Sequence, residues 1–299
     1  MDISGGKNLP LILLNMKEQD FIKIIKDQTK SSYLGDDCAY LKELEIVVTQ
    51  DNFIEDVHFK TKWATPFQIG YKAAAVNISD VLASGAKPSF ISVGLSLPNV
   101  DSSFVKELYK GIQKGAHGAQ IIGGDITGSD KIFLSITAIG TTQNRKISSR
   151  SHAKEGYVII TNGEFGSSAK GLKELQQGLK CTDSILAHLE PELDEMFSRS
   201  IAEQINTEYA MMDTSDGLAD TLFQIAKASG VKIEIQNING VFDAEDYKLV
   251  AAIPKEFLTK LENYKIIGSV KGYDGVYLQI GDTRYNNYDD LKLYNHFGE

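Results

Sequence analysis

MMDTSDGLADTLFQIAKASGVKIEIQNI (211–238) reads as the end of a strand, an acidic loop, an amphipathic helix and a second strand. Leu218, Leu222 and Ile225 recur at helical spacing and mark the inward face. Gly230 is a helix terminator, and VKIEIQNI is β-branched and compact, as strands are. Working outward, YVIIT (157–161) is another strand, followed by the glycine-containing NGEFGSSAKG, and residues 170–210 are polar and helical. In the first half, LEIVVTQ (44–50) and FISVGLSL (90–97) are strand-like. Between them Thr65-Pro66 is a helix start, with Thr65 as N-cap and Pro66 at the first position. The helix continues through PFQIGYKAAAVNISDVLASG, and Gly85 ends it. Asp101 or Ser102 caps a further helix whose face is Phe104, Val105, Leu108, Tyr109 and Ile112. AQII and KIFLSITAIGTT form two strands around GGDITGSD. Such alternation predicts an α/β (α+β) architecture. The polar stretch Arg145–Ser151 divides the chain into 1–145 and 146–299, in keeping with about 150 residues per domain.

Apolar residues make up 42% and charged residues 24% of the 299-residue chain, an ordinary globular balance. The net charge of −9 argues against a basic nucleic-acid-binding surface. Cys38 and Cys181 form neither a disulfide framework nor a zinc pattern. The first twenty residues lack a basic segment and a cleavage site, so they read as mature sequence. No apolar run reaches the roughly 18 residues that span a bilayer. The expected location is cytoplasmic, without a membrane partner.

The chemistry lies in aspartates: Asp36, Asp37, Asp51, Asp80, Asp125, Asp213 and Asp216. Any one alone reads as a cap or turn residue. Together they read differently. Asp80 interrupts an apolar helix, where an isolated carboxylate is costly, and Asp51 and Asp125 follow strands, at the edge where α/β sheets bind ligands. Seven such carboxylates require cations, and magnesium, a hard ion that combines carboxylates with phosphate oxygens and water, fits best. The histidines (58, 117, 152, 188 and 296) are scattered and suggest no softer metal. Gly123-Gly124-Asp125 allows close backbone approach to a ligand. Gly163, Gly166 and Gly171 are placed for an anion nest. On spacing alone each glycine stretch reads first as an ordinary tight turn.

In order along the chain stand GDD (35–37), TQD (49–51), DVHF (56–59), NISD (77–80), GGD (123–125), RSHA (150–153), DTSDGL (213–218), AEDYKLV (244–250) and YNHF (294–297). The series resembles the thiamine-monophosphate kinases, within the aminoimidazole ribonucleotide synthetase superfamily. The resemblance implies a two-domain fold of mixed sheets flanked by helices, and a homodimer with active sites near the interface. It implies several Mg2+ ions held by Asp36, Thr49, Asp51, Asp80, Asp125, Asp213 and Asp216, with Asp37 assisting. It places ATP against Gly124, Asp125, Arg150 and Ser215, and thiamine monophosphate against His58, Glu245 and Tyr294. Without the resemblance, His58 reads as a packed strand-end residue, Tyr294 as closing the core, Arg150 as an exposed linker charge and Glu245 as a solvated turn.

Three departures stand out. Thr49-Gln50-Asp51 replaces the family's TTD, with Gln50 still able to offer the metals an oxygen. Asp243-Ala244 replaces two glycines before Glu245, a change expected to reshape the substrate loop. Tyr157 replaces an acidic residue. The expected reaction is direct in-line transfer from ATP to the acceptor phosphate, giving thiamine diphosphate; no side chain is assigned as base or nucleophile, because a phosphate oxygen is already ionised. Two other readings stay open: a superfamily relative that activates an amide, formyl or selenide substrate through a phosphorylated intermediate (with Cys38 beside GDD), and a catalytically silent nucleotide-binding protein.

Overall fold

The computed structural model describes residues 18–291 and residue 293. An N-terminal helix, α1 (Glu18–Thr29), precedes a sheet of β1 (Ala39–Leu41), β2 (Ile46–Ile54), β3 (Lys87–Leu97), β4 (Gln120–Gly128) and β5 (Phe133–Thr141). Its order is β1-β2-β5-β3-β4, antiparallel except for the parallel β3/β4 pair. The helices α2 (Pro66–Ala83) and α3 (Ser102–Gly115) accompany this sheet. Thr65 caps α2 in a full capping box with Gln68, and Asp101 caps α3 through the Phe104 N–H. The two helices touch through glycine: a Cβ on Gly111 would lie 1.9 Å from the Phe67 carbonyl oxygen.

Along β5 every second residue is buried (Leu134, Ile136, Ala138), and on β2 the same face carries Val47, Thr49 and Phe53. That face packs against α2, so Thr49 is directed at the helix that carries Asp80. β4 is a single strand running straight through GGDITG, where two strands around a loop were expected. It is exposed along its whole length.

The second sheet holds β6 (Val158–Thr161), β7 (Ala210–Met212), β8 (Val231–Ile235), β9 (Val250–Ile253), β10 (Lys265–Gly272), β11 (Leu278–Ile280) and β12 (Thr283–Tyr285), in the order β12-β11-β8-β10-β6-β9-β7. Around it lie α4 (Ser167–Gln176), α5 (Asp183–Leu189), α6 (Glu195–Gln204) and α7 (Leu218–Ser229), the last ending on left-handed Gly230. Both faces of its central strands are covered, which is why VIIT reads as an unbroken apolar run. Val158 and Ile160 of β6, with Ala251 and Ile253 of β9, join a core shared with the first sheet. Ile159, Val250 and Ala252 face a second core built on α7.

The polar segment 145–151 is pinned between these cores. Ile147 is buried, the Ser148 N–H bonds the Ser84 carbonyl, and the Ser148 hydroxyl reaches the Ala83 and Met211 carbonyls. Among the described residues no helix is long and apolar enough to cross a membrane.

Candidate active site

Carboxylate oxygens of Asp37, Asp80 and Asp213 converge to within 4.8 Å of one another. They come from the turn before β1, the last turn of α2 and the residue after β7. Each is held by a neighbour. The Thr49 hydroxyl donates to Asp80 at 2.6 Å, the Ser79 hydroxyl to Asp213 at 2.5 Å, and the Arg150 guanidinium to Asp37 at 2.6 Å. Burial pushes the Asp37 carboxyl up to about 6 despite Arg150. Burial, reinforced by Asp51, Asp213 and Asp37, carries Asp80 well above the carboxylate range, and burial also raises Asp213. This proton affinity reflects negative charges lacking compensation, and a hard divalent cation supplies it through oxygen ligands alone. The donor set therefore fits magnesium. Cys38 packs nearby, where burial and the aspartates raise its thiol pKa well above normal, so in the metal-free site it is not a reactive thiolate.

A cavity of about 530 Å3 opens from this cluster. Its lining brings together Asp51, Asp80, Asp213, Ser215, Asp216, His58 and Glu245, which the sequence reading had scattered over nearly two hundred positions. Asp51 donates its backbone N–H to Asn77 Oδ1, and exposed Asp216 lies at the lip. Ser215 donates both its hydroxyl and its backbone N–H to Asp213 Oδ1.

Other expected residues lie elsewhere. Gln50 is a correction: strand alternation turns it away from Thr49 and Asp51, and its amide bonds the Ser135 and Thr137 hydroxyls on the opposite face of the sheet. Asp36 is exposed and accepts from the Arg150 backbone N–H at 2.8 Å and from the Ser149 hydroxyl; Asp37, its neighbour, is the member of the triad. Gly124 and Asp125 sit on β4, outside the cavity lining. A Cβ at Gly124 would stand 1.8 Å from the Val93 carbonyl oxygen, so sheet geometry alone demands glycine there. Tyr294 lies outside the described residues. Arg150 is no exposed linker charge, since its guanidinium also reaches Gln224 Oε1 at 2.5 Å and only 21% of the side chain is exposed.

The loop of Gly163 and Gly166 does not form an open anion nest, and Gly171 lies inside α4 instead of in the loop. Asp246 occupies it, accepting the Gly166 N–H at 2.6 Å and the Ser168 N–H at 3.0 Å and so capping α4 from within.

At the wall away from the triad, Glu245 is half-buried against two buried side chains and is not a solvated turn. Lys72 of α2 lies 3.1 Å from its carboxylate, and His188 of α5 lies 3.5 Å away and shares a 2.9 Å hydrogen bond with Ser168. Burial and Lys72 push His188 down to about 4. Burial alone would raise Glu245, yet Lys72 and His188 hold it below the usual range; with His188 neutral, Lys72 provides most of that attraction. His58 accepts the Ile54 N–H at 3.0 Å and stacks on Phe53. The reading of the sequence passed over Lys72 and His188. For Lys72 the signal was present: a lysine in an apolar helix, eight residues before Asp80 and thus on the same face.

The two residues that replace the family's glycines do not carry the loop's left-handed turns. Its left-handed residues are Glu245 (φ 66°) and Tyr247 (φ 52°), whereas Asp243 and Ala244 need no positive φ.

Residues 35–142 match the family described as AIR synthase related protein, N-terminal domain. The Bacillus subtilis thiamine-monophosphate kinase is 38% identical over 216 residues, 68% of this chain and 66% of that relative. The Corynebacterium glutamicum thiamine-monophosphate kinase is 33% identical over 237 residues, 75% of this chain and 71% of the relative. The chain belongs to the thiamine-monophosphate kinase family. Among solved structures, AaThiL complexed with AMPPCP and TMP superposes with a TM-score of 0.84 at 28% identity, covering 96% of this chain and 99% of that one. The two mixed sheets with flanking helices are thus the family fold. Hydrogenase maturation protein HypE from E. coli, 18% identical with a TM-score of 0.64, shares the fold alone.

Proposed function

We propose that the chain transfers the γ-phosphoryl group of ATP directly, in line, to the phosphate of thiamine monophosphate, giving thiamine diphosphate and ADP. The observation that carries this reading is one cavity with an acidic oxygen cluster on one wall and a half-buried, lysine-paired carboxylate on another, in a chain whose family acts on this substrate. The relative solved with AMPPCP and TMP supports the same pair of substrates.

Asp37, Asp51, Asp80, Asp213 and Asp216 would hold magnesium, with Thr49 fixing the Asp80 carboxylate. Bound there, the ions would screen the repulsion between two polyanions and stabilise charge on the transferring group. Arg150 and Ser215 would meet the nucleotide phosphates, Arg150 by exchanging its Asp37 contact for a phosphate oxygen. His58 and Glu245 orient the organic part of the acceptor. No residue need remove a proton, because the attacking oxygen is ionised at neutral pH.

A homodimer in the cytoplasm completes the proposal, with the chain divided near residue 145. The dimer is supported by β4, an edge strand exposed throughout, with Ile122 57% and Ile126 68% exposed. It would also bring Gly124 and Asp125 toward ligands from outside the cavity described. The direct test is to incubate the chain with ATP, Mg2+ and thiamine monophosphate and to separate the products. Thiamine diphosphate formed with equimolar ADP is expected, and ADP without thiamine diphosphate would sink the reading.

A further inference from the structure

Lys72 is 2% exposed on a helix whose neighbouring residues Ile69, Ala73 and Val76 are apolar and buried or nearly so. An ammonium in such surroundings is costly unless it is paired, and removing one member of a buried pair leaves an uncompensated charge. Its partner is Glu245, at 3.1 Å.

Glu245 is itself an unusual residue. Its φ of 66° lies in the left-handed region, which a glutamate keeps only where the surroundings impose it. They do impose it. The Glu245 N–H donates to the Ser215 carbonyl at 2.7 Å, and the Lys248 N–H donates to the Thr214 hydroxyl at 3.0 Å. These bonds dock the loop on the segment that follows β7. They fix its backbone, but they do not aim the carboxylate, and that task falls to side chains from two other elements, Lys72 of α2 and His188 of α5.

Burial and Lys72 keep His188 uncharged at neutral pH, which leaves the ion pair with Glu245 to Lys72. Lys72 stands two helical turns from Asp80 on the same face, both lining the cavity. The helix that presents one wall of the acidic cluster therefore also sets the direction of the acceptor-side carboxylate.

We propose that Lys72 is a positioning residue for Glu245, holding its carboxylate aimed into the cavity so that it reads the acceptor substrate, without itself touching that substrate. The inference rests on the reading that thiamine monophosphate is the acceptor and that Glu245 contacts it.

The test is a double-mutant cycle of Lys72→Met and Glu245→Gln, the double variant having no unpaired buried charge and so keeping its fold. Each variant is assayed for kcat, for KM of both substrates, and for calorimetric binding of thiamine monophosphate. Lys72→Met is expected to raise the KM for thiamine monophosphate by about tenfold or more, with kcat and the KM for ATP each changing by less than about threefold. Lys72→Arg should recover most of the loss. The double variant should bind thiamine monophosphate no more weakly than Glu245→Gln alone, because Lys72 acts only through that carboxylate. Additive losses, or a Lys72→Met variant with wild-type KM while Glu245→Gln is impaired, would overturn the inference and leave the substrate assignment standing. Unchanged binding in Glu245→Gln would overturn both the inference and the role of Glu245. A wild-type chain forming no thiamine diphosphate would sink the functional reading itself.

Discussion

The Thr49 hydroxyl donates to the Asp80 carboxylate across 2.6 Å, tying β2 to the last turn of α2 at the point where three buried carboxylates meet. Nothing else in that apolar helix turn calls for an acid. Asp80→Asn should lower kcat by about a thousandfold or more, the scale of several kcal/mol of lost charge stabilisation. Its melting temperature in EDTA should equal or exceed that of the parent, since one repelling charge is gone. A rate near the parent's would show that Asp80 holds no metal.

Magnesium should stabilise the protein in a pH-dependent manner. The Asp37 pKa is raised to about 6 from 3.8, so in metal-free protein its folded-state contribution is full below 3.8 and is lost as pH rises through 6. Metal must displace that proton. The rise in melting temperature on adding Mg2+ should be full near pH 7.5 and should shrink steadily below about pH 6. A magnesium shift of equal size near pH 5 would contradict this.

His188 has the opposite linkage. Its pKa falls from 6.5 to about 4, first through burial and then through Lys72, so the unfolded chain takes up the proton first as the solution is acidified. Its contribution is therefore intact above pH 6.5 and lost as pH falls toward 4. A His188→Gln variant should show a flatter dependence of urea midpoint on pH across that window. Parallel curves for parent and variant would remove His188 as the cause.

Ala244→Gly restores one of the family's glycines at a position that does not use positive φ. The expected result is a loss of about 0.4–1 kcal/mol through a looser unfolded chain. The KM for thiamine monophosphate should stay within about twofold of the parent's, because the loop geometry already exists. A large change in KM would mean that the departure does reshape the substrate loop.

Much of this molecule could be read along the chain where the signal is local. The Thr65–Gln68 cap, the Asp101 cap and the Gly230 stop all lie where their side-chain chemistry requires. Asp80 announced itself as a carboxylate in an apolar helix. Gln50 could have been excluded from the cluster by strand alternation alone. The failures are non-local. Asp246 fills the glycine loop from about eighty residues away, a pairing that no window of sequence contains. Which of Asp36 and Asp37 turns inward depends on where Arg150 packs. Strands β11 and β12, three residues each, are too short for a period to show, and Lys72 gains meaning only beside Glu245.

The central claim is that the acidic cavity moves a phosphoryl group from ATP to thiamine monophosphate in a single step. The most direct measurement is a rapid quench of enzyme, Mg2+ and thiamine monophosphate with γ-labelled ATP under single-turnover conditions. The account predicts that label passes straight into the terminal phosphate of thiamine diphosphate, with none on the precipitated protein at any time. Label appearing first on the protein, or released as inorganic phosphate without thiamine diphosphate, would contradict it.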